Sequence, residues 1–309
     1  MAMTLLEHDK LSPADDFKTG VVELYAGSSD VLANLPFENI NGSAMKYNTE
    51  ETLPGVAFRG VNEDYTASTG VINPQTESLT ISGGTLDVDR FLSITGGESA
   101  GDRHQRMKVR ALSLHWTKKF IKGDSESDPR EFDGLQARLI NDQLIAAGGT
   151  SGGDALSLAK LDEVADQVLN PTHWIMNKTM KRRLTQAARN TSVGGFITYE
   201  QDMFGRKQAF YQGMPILTLD LDNEGSAILP FSEANPGGGT AASTSIYCAS
   251  FSDDGVTGIQ NGGIEVDDLG RSESGTSDRK FIEWFSSIAI YNGRGAARLN
   301  GITDAAVTV

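Results

Sequence analysis

Cysteine is almost absent: Cys248 is the single one in 309 residues. That excludes an intramolecular disulfide framework and any cysteine-based zinc cluster, and it fits a reducing compartment. Aromatic residues are scarce at 7%, while glycine reaches 34 residues, so extended pieces without a private core are expected. No run approaches the roughly 18 uninterrupted apolar residues of a membrane span, and the start, MAMTLLEHDKLSPADDF, lacks a charged region followed by an apolar one. A non-secreted product with no membrane partner is expected. Bases are in the minority, 27 against 41 acids for a formal charge of −14, which argues against nonspecific wrapping of nucleic acid, a task built from clustered Lys and Arg.

The cations that exist lie together. From Met1 to Thr85 the chain carries 12 acids and four bases, whereas from Gly101 to Lys122 it carries one acid, Asp102, and seven bases. In that basic stretch Val109, Leu112, Trp116 and Phe120 recur at three- and four-residue spacing, which predicts a helix over about 100–122 with one core-facing stripe. Arg103, Arg106, Lys108, Arg110, Lys118 and Lys119 fill much of the remaining surface, and the lysines at its end suit the helix dipole. Three readings of this basic face stay open: a solvated surface, pairing with an acidic part of a neighbouring copy, and contact with DNA.

Residues 1–41 are acidic and weakly periodic, and read as an arm that lies on other surfaces. Between Gly42 and Ser82 the β-prone pieces SAMKYNTEE, GVAFRG and ESLTIS alternate with turn signals at Leu53-Pro54-Gly55, Ser68-Thr69-Gly70 and Asn73-Pro74, predicting a long β-hairpin. An isolated two-stranded ribbon is marginal in water, so this one should lie against another body. After Gly83-Gly84, TLDVDRFLSI predicts a helix start, with a break at Gly96-Gly97. LINDQLIAA reads as helix. Leu158, Leu161, Ala165 and Val168 form an apolar stripe ended by Asn170-Pro171. HWIMN reads as a buried strand followed by a basic helix over 178–189. Leu217, Leu219 and Leu221 alternate, as do Ile282, Trp284, Ile288 and Ile290, so both stretches read as strands. The fold class is α+β.

The motifs that carry chemistry elsewhere are weak here. GTSGG, Gly149 to Gly153, matches the nucleophile elbow around Ser151, which requires a strand before it, a helix after it and a later histidine; the context favours a linker, with a serine hydrolase as the remote alternative. DLDNEG, Asp220 to Gly225, imitates half of a calcium loop, but position twelve is Phe231 where a bidentate Glu is needed, so a turn is expected, as at Asp253-Asp254-Gly255. His8, His104, His115 and His173 have no spacing that unites them as metal ligands. Cys248 reads as a buried small hydrophobe. No enzyme, metal or cofactor is expected.

Taken in order, FIKGDSESDPREFDGLQARLI (120–140), NPTHWIMNKTMKRRL (170–184), YQGMPILTLD (211–220), and SIYCASFSDDGVTGIQNGGIEVDDLG (245–270) followed by FIEWFSSIAIYNGRGAARLNGIT (281–303) resemble the major capsid proteins of tailed bacteriophages with the HK97-like fold. The resemblance implies an N-terminal arm at 1–41, an extended hairpin or E-loop at 42–84, a peripheral P-domain with a long spine helix at 85–157, an axial A-domain at 158–278 and a return strand to the P-domain at 279–309. It implies an icosahedral shell of hexamers and pentamers around packaged double-stranded DNA, with a portal protein, a separate scaffolding protein and a decoration protein as partners, in a virion assembled in the bacterial cytoplasm. On the E-loop it points to Lys46, Phe58 and Arg59 as assembly residues. Some relatives link a hairpin lysine covalently to a neighbour; here the hairpin offers only Lys46, near its base, so no crosslink is expected. No long scaffolding segment fits before Gly42. An encapsulin-like compartment is the alternative within the same architecture.

Overall fold

The computed structural model describes residues 3–4, 29–89, 91, 98–189, 197–201, 207–272 and 275–308; most of the expected arm, including His8, and the Gly96-Gly97 break lie outside them. Two sheets and a free-standing ribbon organise the chain. The five-stranded sheet runs β1 (Met3–Thr4), β2 (Pro36–Asn39), β12 (Val256–Arg271), β13 (Ser277–Ile290), β5 (Thr80–Asp89). The seven-stranded sheet runs β6 (Leu144–Ala146), β14 (Ala296–Ile302), β11 (Thr244–Ala249), β7 (His173–Asn177), β10 (Met214–Leu219), β9 (Lys207–Tyr211), β8 (Ile197–Gln201). β3 (Ala44–Thr52) and β4 (Val71–Ser78) pair only with each other. Five α-helices complete the described residues: α1 (Asp30–Asn34), α2 (Glu98–Lys122), α3 (Leu135–Arg138), α4 (Leu158–Gln167) and α5 (Lys178–Ala187).

Helix α2 has 25 residues, about 37 Å at 1.5 Å per residue. Val109, Trp116 and Phe120 are buried and Leu112 packs partly buried against the same cluster. Trp116 anchors it: its ring centroid lies 5.4 Å from Trp284, 5.6 Å from Phe120, 5.7 Å from Phe132 and 5.9 Å from Phe37. Its indole N–H donates to Ser286 Oγ at 3.0 Å. Phe37 reaches this cluster across Gly258, where a Cβ would sit 2.3 Å from the phenyl ring.

The seven-stranded sheet is covered on both faces. Ile175, Leu217 and Tyr247 point into the core shared with α2, while Trp174, Ile216 and Cys248 point into a second core with Leu158, Leu161, Met180 and Leu184 of α4 and α5. A sheet buried on both faces needs continuous apolar runs rather than alternation, which is why HWIMN reads as buried throughout. Asn177 caps α5, its Oδ1 accepting the Met180 N–H at 2.8 Å.

Several expectations change. TLDVDRFLSI does not begin as a helix: its first five residues belong to β5, which pairs with β13 from Thr80↔Ser286 to Asp89↔Ser277, and Phe91 is the first described helical residue after it. The long-range partner overrides a local pattern that suits either element. Gly83 and Gly84 lie inside this strand; a Cβ at Gly83 would meet Ile282 O at 2.5 Å, and one at Gly84 would meet the Lys108 ammonium at 2.7 Å. LINDQLIAA is no helix either. Asn141 takes φ 55°, outside the right-handed region, a 3₁₀ turn follows over Asn141–Gln143, and β6 then pairs in parallel with β14. Third, GVAFRG forms no strand, and Leu221 falls beyond the end of β10 and is exposed. Sheet membership also divides the expected segments: β12 lies beside β13 in the five-stranded sheet, whereas β14 lies in the seven-stranded one.

Candidate assembly interface

Among the described residues nothing covers the ribbon's tip. β3 and β4 are in register from Ala44↔Ser78 to Thr52↔Val71, and between them residues 53–70 are exposed without exception. Val56, Phe58 and Val61 are at least 93% exposed, with Leu53, Tyr65 and Ile72 above 60%. A contiguous set of large apolar side chains in water marks an interaction surface. The tip is braced from within: Arg59 Nη1 donates to Glu63 O at 2.9 Å, the Gly60 N–H donates to Glu63 Oε2 at 2.8 Å, and Ser68 Oγ donates to Gly55 O at 2.9 Å. The Arg59 guanidinium also lies 5.5 Å from the centre of the Tyr65 ring. Phe58 and Arg59 thus sit on the tip, and Lys46 is exposed lower down, opposite Thr76.

The basic face of α2 is divided between inward and outward uses. Lys118 pairs with Asp222 at 2.8 Å, Lys119 pairs with Glu131, and Lys122 lies 3.6 Å from Glu233. Asp222 is buried, also accepts the Glu224 and Ser226 N–H groups, and is held below the usual carboxylate range by its hydrogen bond to Lys118. Lys108 is half-buried over Gly84. Arg106 and Arg110 are exposed and make no ion pair among the described residues. The side chain of Arg103 lies outside those residues. Local spacing carries no signal for Asp222, Glu131 or Glu233, because each partner comes from a separate part of the chain.

The alternative sites do not assemble. Ser151 follows a strand, but α4 begins only at Leu158, and its hydroxyl rests 3.4 Å from Gly238 O. His173 contacts Thr172 Oγ1 at 2.8 Å and the Phe251 ring at 4.8 Å. The DLDNEG segment is a turn, closed by the Gly225 N–H donating to Asp222 O at 3.2 Å. Among the described residues no three His, Cys, Asp or Glu side chains cluster as metal ligands. Cys248 is buried in β11 and burial pushes its thiol up to about 12.

His173 does carry a pH consequence. Burial lowers its imidazole to about 4, so the folded state holds it neutral while the unfolded chain protonates near the usual 6.5. Between those values the unfolded state binds more protons, so stability is full above about pH 6.5 and falls as the pH drops towards 4, by at most about 3 kcal/mol. Urea midpoints at about pH 7 and about pH 4.5 should therefore differ less for His173→Phe than for the wild type; equal differences would remove His173 as a cause.

No curated protein sequence matches the chain. The family model for major capsid protein GP7 matches residues 13–159. Among solved structures, the holo-SrpI encapsulin complex from Synechococcus elongatus PCC 7942 superposes with a TM-score of 0.66 at 15% identity, covering 100% of this chain and 99% of that one. The capsid of a native GTA particle gives 0.65 at 13% identity over 89% and 90% of the two chains, and Mycobacterium phage Adephagia gives 0.62 at 13% over 98% and 94%. Capsids and an encapsulin share this fold, so the superpositions give the architecture alone. Spine helix, two sheets and projecting ribbon give the chain the HK97-like fold of these capsid and encapsulin shells, and across the hairpin and α2 it matches the family model for major capsid protein GP7.

Proposed function

We propose that this protein builds the icosahedral head of a tailed phage, as hexamers and pentamers around packaged double-stranded DNA, and that its hairpin tip finds burial on the adjacent subunit. The single observation behind the mechanism is the tip's exposure: Val56, Phe58 and Val61 are left in water by their own chain. If hairpin and arm together bury about 1,600 Å², each copy gains one standard interface, and closure of the shell repeats it around every copy. Arm, E-loop, P-domain, A-domain and return strand follow the limits at 41, 84, 157 and 278. Arg106 and Arg110 are the outward cations of α2, suited to an acidic neighbour or to the DNA. A portal protein, a separate scaffolding protein and a decoration protein complete the virion, which forms in the host cytoplasm; the chain performs no catalysis.

The full-length overlap with an encapsulin favours one second reading, a cargo-holding compartment. Electron microscopy and sedimentation of the product expressed alone, and again with the neighbouring genes of its source, separate the two: shells only with a scaffolding partner support a phage head, and closed shells alone with a co-purifying cargo protein support a compartment. Particles boiled in detergent should release monomers, since Lys46 lies at the hairpin's base, facing Thr76 across the ribbon; ladders of covalent oligomers would contradict this.

A further inference from the structure

Side chains tie the ribbon to the body, although among the described residues it shares no strand pairing with either sheet. Its base is held at three points. Tyr47 of β3 meets Tyr291 edge-on, with ring centroids 5.0 Å apart, and donates to Ile290 O at 3.2 Å. Tyr291 in turn donates to Glu38 Oε2 at 2.8 Å. Glu77 of β4 binds Arg138 of α3 through both carboxylate oxygens, with Nη2 to Oε2 at 2.7 Å, and Arg138 Nε donates to Asp133 O at 2.8 Å. Both side chains of that pair are only 16% exposed. The bidentate fork fixes direction as well as distance. Arg138 is itself anchored to the spine helix: Gly134, which precedes α3, donates its N–H to Gly123 O at 2.9 Å, and a Cβ on Gly134 would lie 2.5 Å from Lys119 O. Phe132 of the same joint packs against Trp116.

We propose that the Glu77–Arg138 pair, seated between Tyr47 and the joint after the spine helix, is the positioning device that fixes the hairpin's angle and thereby matches its tip to a neighbouring subunit. A ribbon with partners in register from Ala44↔Ser78 to Thr52↔Val71 magnifies a small rotation at its base: at about 3.3 Å per residue its far end lies roughly 23 Å from Glu77, with the loop 53–70 beyond it. Ion pair and aromatic contact act on opposite strands of the ribbon, so together they resist both tilt and twist. The inference rests on the capsid reading for its consequence, but not for its geometry.

Two spin labels in the full-length protein, at Ala57 on the tip and Ala159 on α4, read the angle directly, because both positions are exposed and Cys248 is buried and does not compete for label. The wild type should give one narrow distance peak. Glu77→Gln should lose that peak and fail to form shells of uniform diameter, with a lowered melting temperature because Arg138 is left without its counter-charge in a largely buried position. Tyr291→Leu, which leaves the ion pair in place, should broaden the peak as well. The exchange Glu77→Arg with Arg138→Glu should restore the peak and the shells. An unchanged peak in both single variants would overturn the proposal. If the wild type forms no shells under any condition, the capsid reading fails on its own, and the distance measurement still decides the clamp.

Discussion

Replacing Phe58 by Asp should abolish shell assembly and leave a soluble, folded subunit. Phe58 is fully exposed within its own chain, so its removal takes no contact from the fold, and surface changes of this kind usually move stability by less than about 0.5 kcal/mol. On a neighbour the same ring would be buried. Burying a side chain of that size contributes roughly 1.5–3 kcal/mol, and a carboxylate in its place would in addition have to be desolvated without a partner. A loss of about 3 kcal/mol weakens one contact by roughly two powers of ten, and every copy in the shell bears it. Arg59→Glu should act in the same direction, since Arg59 holds Glu63 O and faces Tyr65. Sedimentation velocity with a thermal melt decides the matter: slow-sedimenting subunits with a wild-type melting temperature are expected. Shells of normal yield would show that the tip is not an interface, and a lowered melting temperature would show that it belongs to the fold.

Trp116→Ala should do the opposite and cost folding itself. The side chain is 1% exposed, packs against four other aromatic rings, and satisfies its N–H on Ser286. Large-to-alanine changes at such sites cost about 3–5 kcal/mol, a large share of the roughly 5–15 kcal/mol that holds an ordinary domain together. Aggregated or degraded product is expected on expression, or a denaturation midpoint lowered by that amount if soluble material is recovered. Trp116→Phe keeps a ring in place and leaves the Ser286 hydroxyl unpaired, so its cost should be nearer about 1–3 kcal/mol. Arg106→Glu, on the exposed side of the same helix, should leave the midpoint almost unchanged. Near-equal effects of Trp116→Ala and Arg106→Glu would contradict the assignment of the two helix faces.

The contrast between these two variants shows what the sequence made legible. Helical spacing is a local property, so Val109, Trp116 and Phe120 could be placed on one buried face before any partner was known. The hairpin was legible for the same reason, through turn residues flanking short β-prone runs. β5 was not: its pattern suits a helix start, and the strand that decides the matter, β13, lies about two hundred positions further on. The side-chain pairs that lock the architecture share this property. Glu77 finds Arg138 across 61 positions and Tyr47 finds Ile290 across 243, distances at which spacing carries no information. Cations on α2 looked alike in sequence, yet three of its lysines are committed within the subunit while Arg106 and Arg110 face outward.

Hydrogen exchange across residues 53–70, compared between free subunits and assembled particles, tests the central claim most directly. Loop amides exposed in the subunit should exchange rapidly there and become slow in the particle, with the α2 core amides slow in both. Equal, rapid exchange of the tip in intact particles would mean that assembly leaves Val56, Phe58 and Val61 in water, and the hairpin would have no part in holding copies together.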